Sequence, residues 1–416
     1  MRKILVFIFI LLMNLYSEDL IIGWKKIYDS GKHDNPIGII IDKDENIYIA
    51  GQTGIPSNYD SLLMKYDREG NLKWVKTYNS GQHDLGYAIC LSGNGNLYVA
   101  GQIFNPVTGW DYMVIKYDID GNFYWCSNYD WGPLDGAYAI AVDHSENIYV
   151  FGQSSNVISK KADYLLLKLD SNGSKIWEST YRKGFTFADS YGITLDYFSN
   201  NNVNIYVSGY TTNDFLVMKY STNGSRFWAK RYNESIVDFG MGITVDNEHN
   251  FYLTGSSYNT SVSQYNLVLI KGDSNGNLIW KQRYDSLRGE MGFGIVERNG
   301  YIYVSGSANN GLNDDYLLLK YDSTGNLLWR TVYDTGSQNK GYGIALDNRD
   351  NIYITGYTLN STYDSLTIKY QKFYEQPPEE DIHEKDTVKP PEFHFGVGKG
   401  ILKKIKELKE KIEQKE

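Results

Sequence analysis

The chain has 416 residues, 42% of them hydrophobic and 15% aromatic, with 40 Gly, only 8 Pro and 37 Tyr. So much tyrosine suits half-buried pleated surfaces, where a ring packs and its hydroxyl stays wet. The net charge of −9 excludes a broad nucleic-acid footprint, which would need a basic patch.

Residues 1–17 read as a secretory signal. Arg2 and Lys3 make a positive start, and Ile4 to Met13 form an apolar run too short to span a bilayer. A cut near Ser17 follows, although Leu15 is a poor small-residue match, and an uncleaved anchor is the alternative. The expectation is a secreted, periplasmic or cell-envelope protein with no membrane span in the mature chain. No cysteine near the cut offers a lipid attachment site.

From residue 20 onward a unit of about fifty residues repeats. Its tryptophans are Trp24, Trp74, Trp125, Trp177, Trp228, Trp280 and Trp329, each followed four residues later by a tyrosine. A period of that length marks a stacked or circular array. One unit reads as Ile37 to Asp42, then Asn46-Ile-Tyr-Ile-Ala-Gly51, then Asp60 to Asp67, then Asn71 to Tyr78. Four short strands joined by Gly, Asp and Asn turns suggest a propeller blade.

The second strand of every unit carries a tyrosine (Tyr48, Tyr98, Tyr149, Tyr206, Tyr252, Tyr303, Tyr353) and ends on a glycine. The third carries a lysine: Lys65, Lys116, Lys168, Lys219, Lys271, Lys320 and Lys369. Positions filled alike in all seven units hold neighbouring units together rather than perform chemistry. Between strands three and four lies Asp-x-x-Gly-Asn or a relative, as at Asp118 to Asn122. It resembles the start of a calcium loop but lacks the later bidentate Glu, so a tight turn with Gly at positive φ is expected.

That turn occurs six times, because the last unit stops after its third strand at Lys369-Tyr370. The chain instead begins with an orphan fourth strand around Trp24 and Tyr28. The expected fold is an all-β, seven-bladed propeller of four-stranded antiparallel blades over residues 20–370, closed by the N-terminal strand.

Over residues 20–370 this pattern resembles the bacterial seven-bladed propeller repeats called SBBP. There an inner strand like Gly192-Ile-Thr-Leu-Asp196 precedes Asn-Ile-Tyr-Val-Ser-Gly. The resemblance implies an extracellular or envelope scaffold and brings no catalytic set with it. The Gly-His and Trp-Asp pairs of WD40 repeats are missing. The sialidase Asp-box also differs, since Gly276 to Trp280 is four residues rather than three.

Loops between blades and loops between strands two and three share one face, and these vary in length. Ser154 to Ala162 and Ser257 to Tyr265 are long, whereas Thr211 to Asn213 is short. Variation on a rigid scaffold marks a functional face. Trp110 and Trp131 fall outside the tryptophan series and map there with Phe104, Phe185 and Phe187. They form a candidate site for stacking a sugar or anchoring a partner; packing among their own loops is the other reading.

Just before each inner strand stands an acidic series: Asp34, Asp84, Asp135, Asp189, Asp238 and Glu290, with Asn339 in the last unit. These carboxylates could ring the channel mouth and hold a cation, or satisfy backbone donors at turns. His33 and His83 occupy equivalent places and do not by themselves make a metal site; no metal or other cofactor is expected. Cys90 and Cys126 fall three strands apart, roughly 14 Å, too far for a disulfide.

Residues 371–399, with Pro377, Pro378, Pro390 and Pro391, read as an extended linker. Residues 400–416 place Ile401, Ile405, Leu408 and Ile412 on one helical face. So short a helix could self-associate weakly, dock on the propeller or stay partly disordered. The expected function is non-catalytic binding or scaffolding, with a protein or surface polysaccharide as partner. The alternative is a propeller lyase or hydrolase acting on polysaccharide. Its mark would be a non-repeating His, Arg or carboxylate cluster facing the channel.

Overall fold

The computed structural model describes residues 20–156, 161–185, 190–199, 202–211, 213–286 and 288–372. The signal segment, the Pro-rich linker beyond Lys372 and the C-terminal helix expected at 400–416 lie outside these residues. Among the described residues there is no helix, and hence none long and apolar enough to cross a membrane.

Twenty-eight strands form seven antiparallel sheets of four. The chain opens with β1 (Leu20–Tyr28). Blade 1 follows as β2 (His33–Ile41), β3 (Ile47–Ile55), β4 (Asn58–Tyr66) and β5 (Leu72–Tyr78). Blade 2 is β6 (Asp84–Leu91), β7 (Asn96–Asn105), β8 (Gly109–Asp118) and β9 (Phe123–Tyr129). Blade 3 is β10 (Gly136–Val142), β11 (Ile148–Asn156), β12 (Lys161–Leu169) and β13 (Lys175–Phe185). Blade 4 is β14 (Ser190–Ser199), β15 (Asn202–Thr211), β16 (Asp214–Ser221) and β17 (Arg226–Tyr232). Blade 5 is β18 (Asp238–Val245), β19 (Phe251–Asn259), β20 (Gln264–Gly272) and β21 (Leu278–Tyr284). Blade 6 is β22 (Glu290–Arg298), β23 (Tyr301–Asn309), β24 (Asp314–Asp322) and β25 (Leu327–Tyr333). Blade 7 comprises β26 (Asn339–Leu346), β27 (Ile352–Leu359), β28 (Tyr363–Lys372) and, as its outer strand, β1. The ring therefore closes as the orphan strand requires, with Trp24 opposite Lys369 and Tyr28 opposite Ser365. β28 runs two residues past the boundary expected at Tyr370.

The core is distributed between blades. Seven buried clusters each draw on two neighbours; one joins Trp24, Tyr28 and Tyr353 of blade 7 to Ile39, Ile49 and Met64 of blade 1. The second-strand tyrosines are nearly or fully buried. Tyr48, Tyr149, Tyr252 and Tyr353 donate their hydroxyls to Asp42, Asp143, Asp246 and Asp347 in the turn below. A buried phenol needs such a partner.

At several joints the repeated lysine and tryptophan act together, reaching one carbonyl in the next blade. Lys168 and Trp177 both donate to Thr222 O, Lys219 and Trp228 to Ser274 O, and Lys271 and Trp280 to Ser323 O. A carbonyl has two lone pairs and can accept both. At the closure Lys369 of β28 and Trp24 of β1 share Arg68 O in the same way, at 3.4 and 3.0 Å. Trp329 of blade 6 faces the one blade without a third-to-fourth-strand turn. Its Nε1, like that of Trp74, has no hydrogen-bond partner among the described residues.

The Asp-x-x-Gly-Asn segments are turns. Asp118 Oδ1 accepts the Asp120 and Asn122 N–H groups, its Oδ2 accepts Asn122 Nδ2, and Gly121 sits at φ 78°. Both cysteines are free, and burial raises the Cys126 thiol to about 11.

Candidate functional site

Each inner strand starts at the loop face, so loop chemistry and channel lining meet there. The acidic series is buried: Asp34, Asp84, Asp135, Asp238 and Glu290 have no exposed surface. Asp34 Oδ2 accepts the Ser30 N–H at 2.7 Å, and Asp84 Oδ2 accepts that of Ser80 at 2.6 Å. Asp135 accepts from Trp131 and Gly132, Asp238 from Glu234 and Ser235, and Glu290 from Ser286. The residues placed at the channel mouth as a cation ring thus point into the inter-blade connections and hold them. The reason is local: a loop that doubles back leaves N–H groups that water cannot reach. Asp189 lies outside the described residues.

This burial has a pH consequence. Burial raises Asp135 to about 6, against the hydrogen bonds it accepts, and burial with repulsion from Asp334 raises Asp315 to about 6. An unfolded aspartate titrates near 3.9. Between roughly pH 4 and 6 the folded chain therefore binds more protons than the unfolded one, and stability falls as pH rises. The hairpin carboxyls of Asp118 and Asp273 behave oppositely: slight burial works against ionisation, but hydrogen bonds from Asn122 and Asn277 outweigh it and lower both. Their contribution is lost as pH falls below about 4. The melting temperature is expected to rise from pH 7 to pH 5 and to drop below pH 4. Asp135→Asn should flatten the upper segment; thermal melts across pH that rise steadily with pH would contradict this.

The candidate aromatics separate into two places. Phe104 and Trp110 are cross-strand neighbours with ring centroids 5.4 Å apart. Trp131 turns elsewhere: it packs edge-on to Tyr112 and against Tyr129, and its Nε1 donates to Glu178 of blade 3 at 2.9 Å. It ties blade 2 to blade 3. Phe185 ends β13, and Phe187 lies outside the described residues.

Trp110 instead belongs to an arc spanning blades 7, 1 and 2. His83 lies 5.8 Å from Trp110 and 6.1 Å from Tyr59, while His33 lies 6.4 Å from Tyr59 and 5.2 Å from Tyr363. The Nδ1 atoms of His33 and His83 accept the backbone N–H groups of Tyr363 and Tyr59, each at 3.3 Å. A neutral imidazole so held carries its proton on Nε2. Around the arc stand exposed apolar tips: Ile55, Leu134 and, at 92% exposure, Val107. On blades 5 and 6 Ile236 and Leu312, the latter 95% exposed, continue this rim.

At the centre is a channel of about 620 Å³ lined by inner-strand residues of all seven blades. One level of its lining is a ring of isoleucines: Ile39, Ile89, Ile140, Ile193, Ile243, Ile295 and Ile344. Each is preceded by Gly or Ala because the next blade's isoleucine lies against that position. A Cβ on Gly343 would stand 2.9 Å from Ile39, and one on Gly242 would stand 3.0 Å from Ile295. Nearer the loop face the channel carries Ile37, Tyr87, Tyr138, Met241, Phe293 and Tyr342. Tyr87 and Tyr138 lie 5.2 Å apart, Phe293 and Tyr342 5.0 Å.

Neither the collar nor the Tyr59 and Tyr363 members of the arc were expected from sequence. A signal for the collar existed: two residues before each repeated isoleucine the position changes among Tyr, Phe, Met and Ile.

Residues 20–60 match the family model of the β-propeller repeat SBBP. Among solved structures the chain is similar to the Neurospora crassa Pan2 WD40 domain, at 11% identity over 86% of this chain and 97% of that one, with a TM-score of 0.54. It is also similar to YjhT, at 15% identity over 73% and 99%, with a TM-score of 0.44. At these identities the likeness to the Pan2 domain is one of fold alone. No curated protein matches the chain.

Proposed function

We propose that this propeller is an exported, non-catalytic binding module that grips a protein partner through its loop face. One observation carries the reading: apolar tips such as Val107 and Leu312 stand almost fully exposed on that face. The opposite face ends in hairpins tipped mostly by polar residues such as Asp44, Glu69, Asn223 and Glu248, and its exposed apolar residues, Ile119 and Phe198 among them, stand at 36% and 47% against 92% for Val107 and 95% for Leu312. Exposed apolar clusters rimmed by polar groups mark interaction sites. The Tyr59, Trp110 and Tyr363 rings supply the side-chain types that dominate binding energy at interfaces. Export rests on the Arg2 to Met13 pattern.

A polysaccharide is the second reading, favoured by the half-buried Tyr59 and Trp110 rings, which offer stacking surface. The mark of the enzyme alternative would be a His, Arg or carboxylate cluster facing the channel, and the lining described above supplies isoleucine, glycine, alanine, Asn35, Met241 and aromatic rings.

The triple variant Ile55→Asp, Val107→Asp, Leu134→Asp should keep its melting temperature, since exposed substitutions change stability by about 0.5 kcal/mol or less each. It should lose at least about tenfold in partner binding, because each charge sits where apolar area would be buried. Affinity capture from envelope extracts, run beside an Asn223→Asp control on the turn face, measures both. Equal capture by the triple variant would reject the reading.

A further inference from the structure

We propose that the ring arc across blades 7, 1 and 2 binds a proline-rich segment in the polyproline II conformation, flanked by basic residues. This rests on the reading of the loop face as a protein-binding surface and names the chemistry of the partner. Trp110, His83, Tyr59, His33 and Tyr363 stand in succession, 5.8, 6.1, 6.4 and 5.2 Å apart, with neighbouring planes inclined by 39–50°. The first four are half-buried and Tyr363 is 38% exposed. Tilted rings in a row leave notches between them, and aromatic-lined notches seat proline rings. The spacing fits. Trp110 to Tyr59 and Tyr59 to Tyr363 are each two steps, at most about 12 Å, and three polyproline II residues, which return the helix to the same face, advance about 9.3 Å. Prolines three residues apart thus reach Trp110, Tyr59 and Tyr363 in turn along a bent arc.

The hydrogen bonds left open to a ligand narrow its class. The backbone N–H groups of Tyr59 and Tyr363 are taken by His83 and His33, that of Phe104 by His83 O and that of Trp110 by Pro133 O. A β-strand added here would find none of these donors free. The nearby carboxylates are occupied too: Asp34 by Ser30 and Thr53, Asp84 by Ser80, Asp111 by Thr108, and Asp364 by Asn360 and Thr362. Sugar hydroxyls, which donate as well as accept, find few acceptors. Beside two tyrosine hydroxyls, the arc keeps the Nε2–H of both histidines and the Nε1–H of Trp110, groups that only donate. An α-helix spends its carbonyls internally. A polyproline II backbone has no internal hydrogen bonds, and its prolines offer carbonyls with no N–H.

Charge sets the flanks. The loop segments that carry the five rings hold Asp29, Asp34, Asp60, Asp84, Asp111 and Asp364 against a single base, Lys32. Arginine or lysine beside the prolines complements that excess, speeding encounter and fixing orientation. The arc is also built in advance, because each imidazole is pinned to a backbone N–H of the preceding blade. A ligand that is itself stiff then loses little conformational freedom on binding.

Calorimetric titration of the full chain with a synthetic peptide of three Pro-Pro-Leu repeats, capped by two arginines at each end, tests this. Saturable one-to-one binding is expected, at least about tenfold tighter than for the same peptide with alanine in place of proline. Glutamate caps should weaken binding at least about threefold, and high salt should shrink that difference. Tyr59→Ala should lose at least about tenfold. Trp110→Phe keeps a ring but removes the donor and should lose about fivefold; it serves as the test if Tyr59→Ala folds poorly. Equal binding of the proline and alanine peptides, tighter binding of cellohexaose than of either, or wild-type affinity in a folded arc variant would overturn the proposal. If the proline peptide fails while the loop-tip aspartate variant still loses its partner from extracts, this inference falls and the protein-binding reading stands; if that variant captures normally as well, both fall.

Discussion

Deleting residues 20–29 is expected to lower the melting temperature by more than 10 °C and to cause aggregation on heating. The deletion removes the outer strand of blade 7, whose register runs from Leu20 opposite Lys372 to Tyr28 opposite Ser365. It takes Trp24 and Tyr28 out of the cluster shared with blade 1. It also removes one of the two donors to Arg68 O, leaving Lys369 alone there. Truncating a single core tryptophan costs about 3–5 kcal/mol, and a whole domain is stable by only about 5–15 kcal/mol. The newly exposed edge of β28 would template pairing between molecules. Ending the chain after Lys372 removes none of these contacts and should leave the melt unchanged. Equal melting of the two truncations would mean that closure contributes little.

The second large effect is expected from one methyl group. A Cβ at Gly101 would lie 1.7 Å from Leu85 O; at Gly356 it would lie 1.8 Å from Lys340 O. The obstacle is backbone on the paired inner strand, where the register shifts between Gly86 and Ala88. No side chain can turn aside to make room. Gly101→Ala must push β6 from β7, and we expect a loss of at least about 3 kcal/mol, comparable with severe overpacking of a core. Gly93→Ala is the matched control, with no atom within 4 Å of the added Cβ. It should change stability by about 0.5 kcal/mol or less. Denaturant unfolding of the two variants decides; a Gly101→Ala protein as stable as the control would show that the inner pair yields easily.

These two sites show what was readable from sequence and why. Trp24 could be assigned as the closing strand because its six counterparts announce the same neighbour contact. The strand-ending glycines were readable as structural for the same reason. Repetition could not reveal that Lys369 and Trp24 meet on one carbonyl, since neither residue type specifies its acceptor. The acidic series shows a sharper limit. Asp34 and its equivalents stand at a fixed place in the unit, but place alone does not say whether a carboxylate faces the channel or the turn behind it. The arc was hidden for another reason: His33 and Tyr363 lie 330 residues apart and meet only because the ring closes. Of the two non-repeating tryptophans, Trp110 stands beside Phe104 and His83 in the arc, while Trp131 is occupied with Glu178.

Photocrosslinking from single positions in living cells tests most directly whether the loop face is the working surface. With p-benzoylphenylalanine at Tyr59 or Leu312, a discrete protein adduct is expected, and with the same group at Glu69 or Asn223 on the turn face, none. Adducts formed from the turn face, with none from Tyr59 or Leu312, would contradict it.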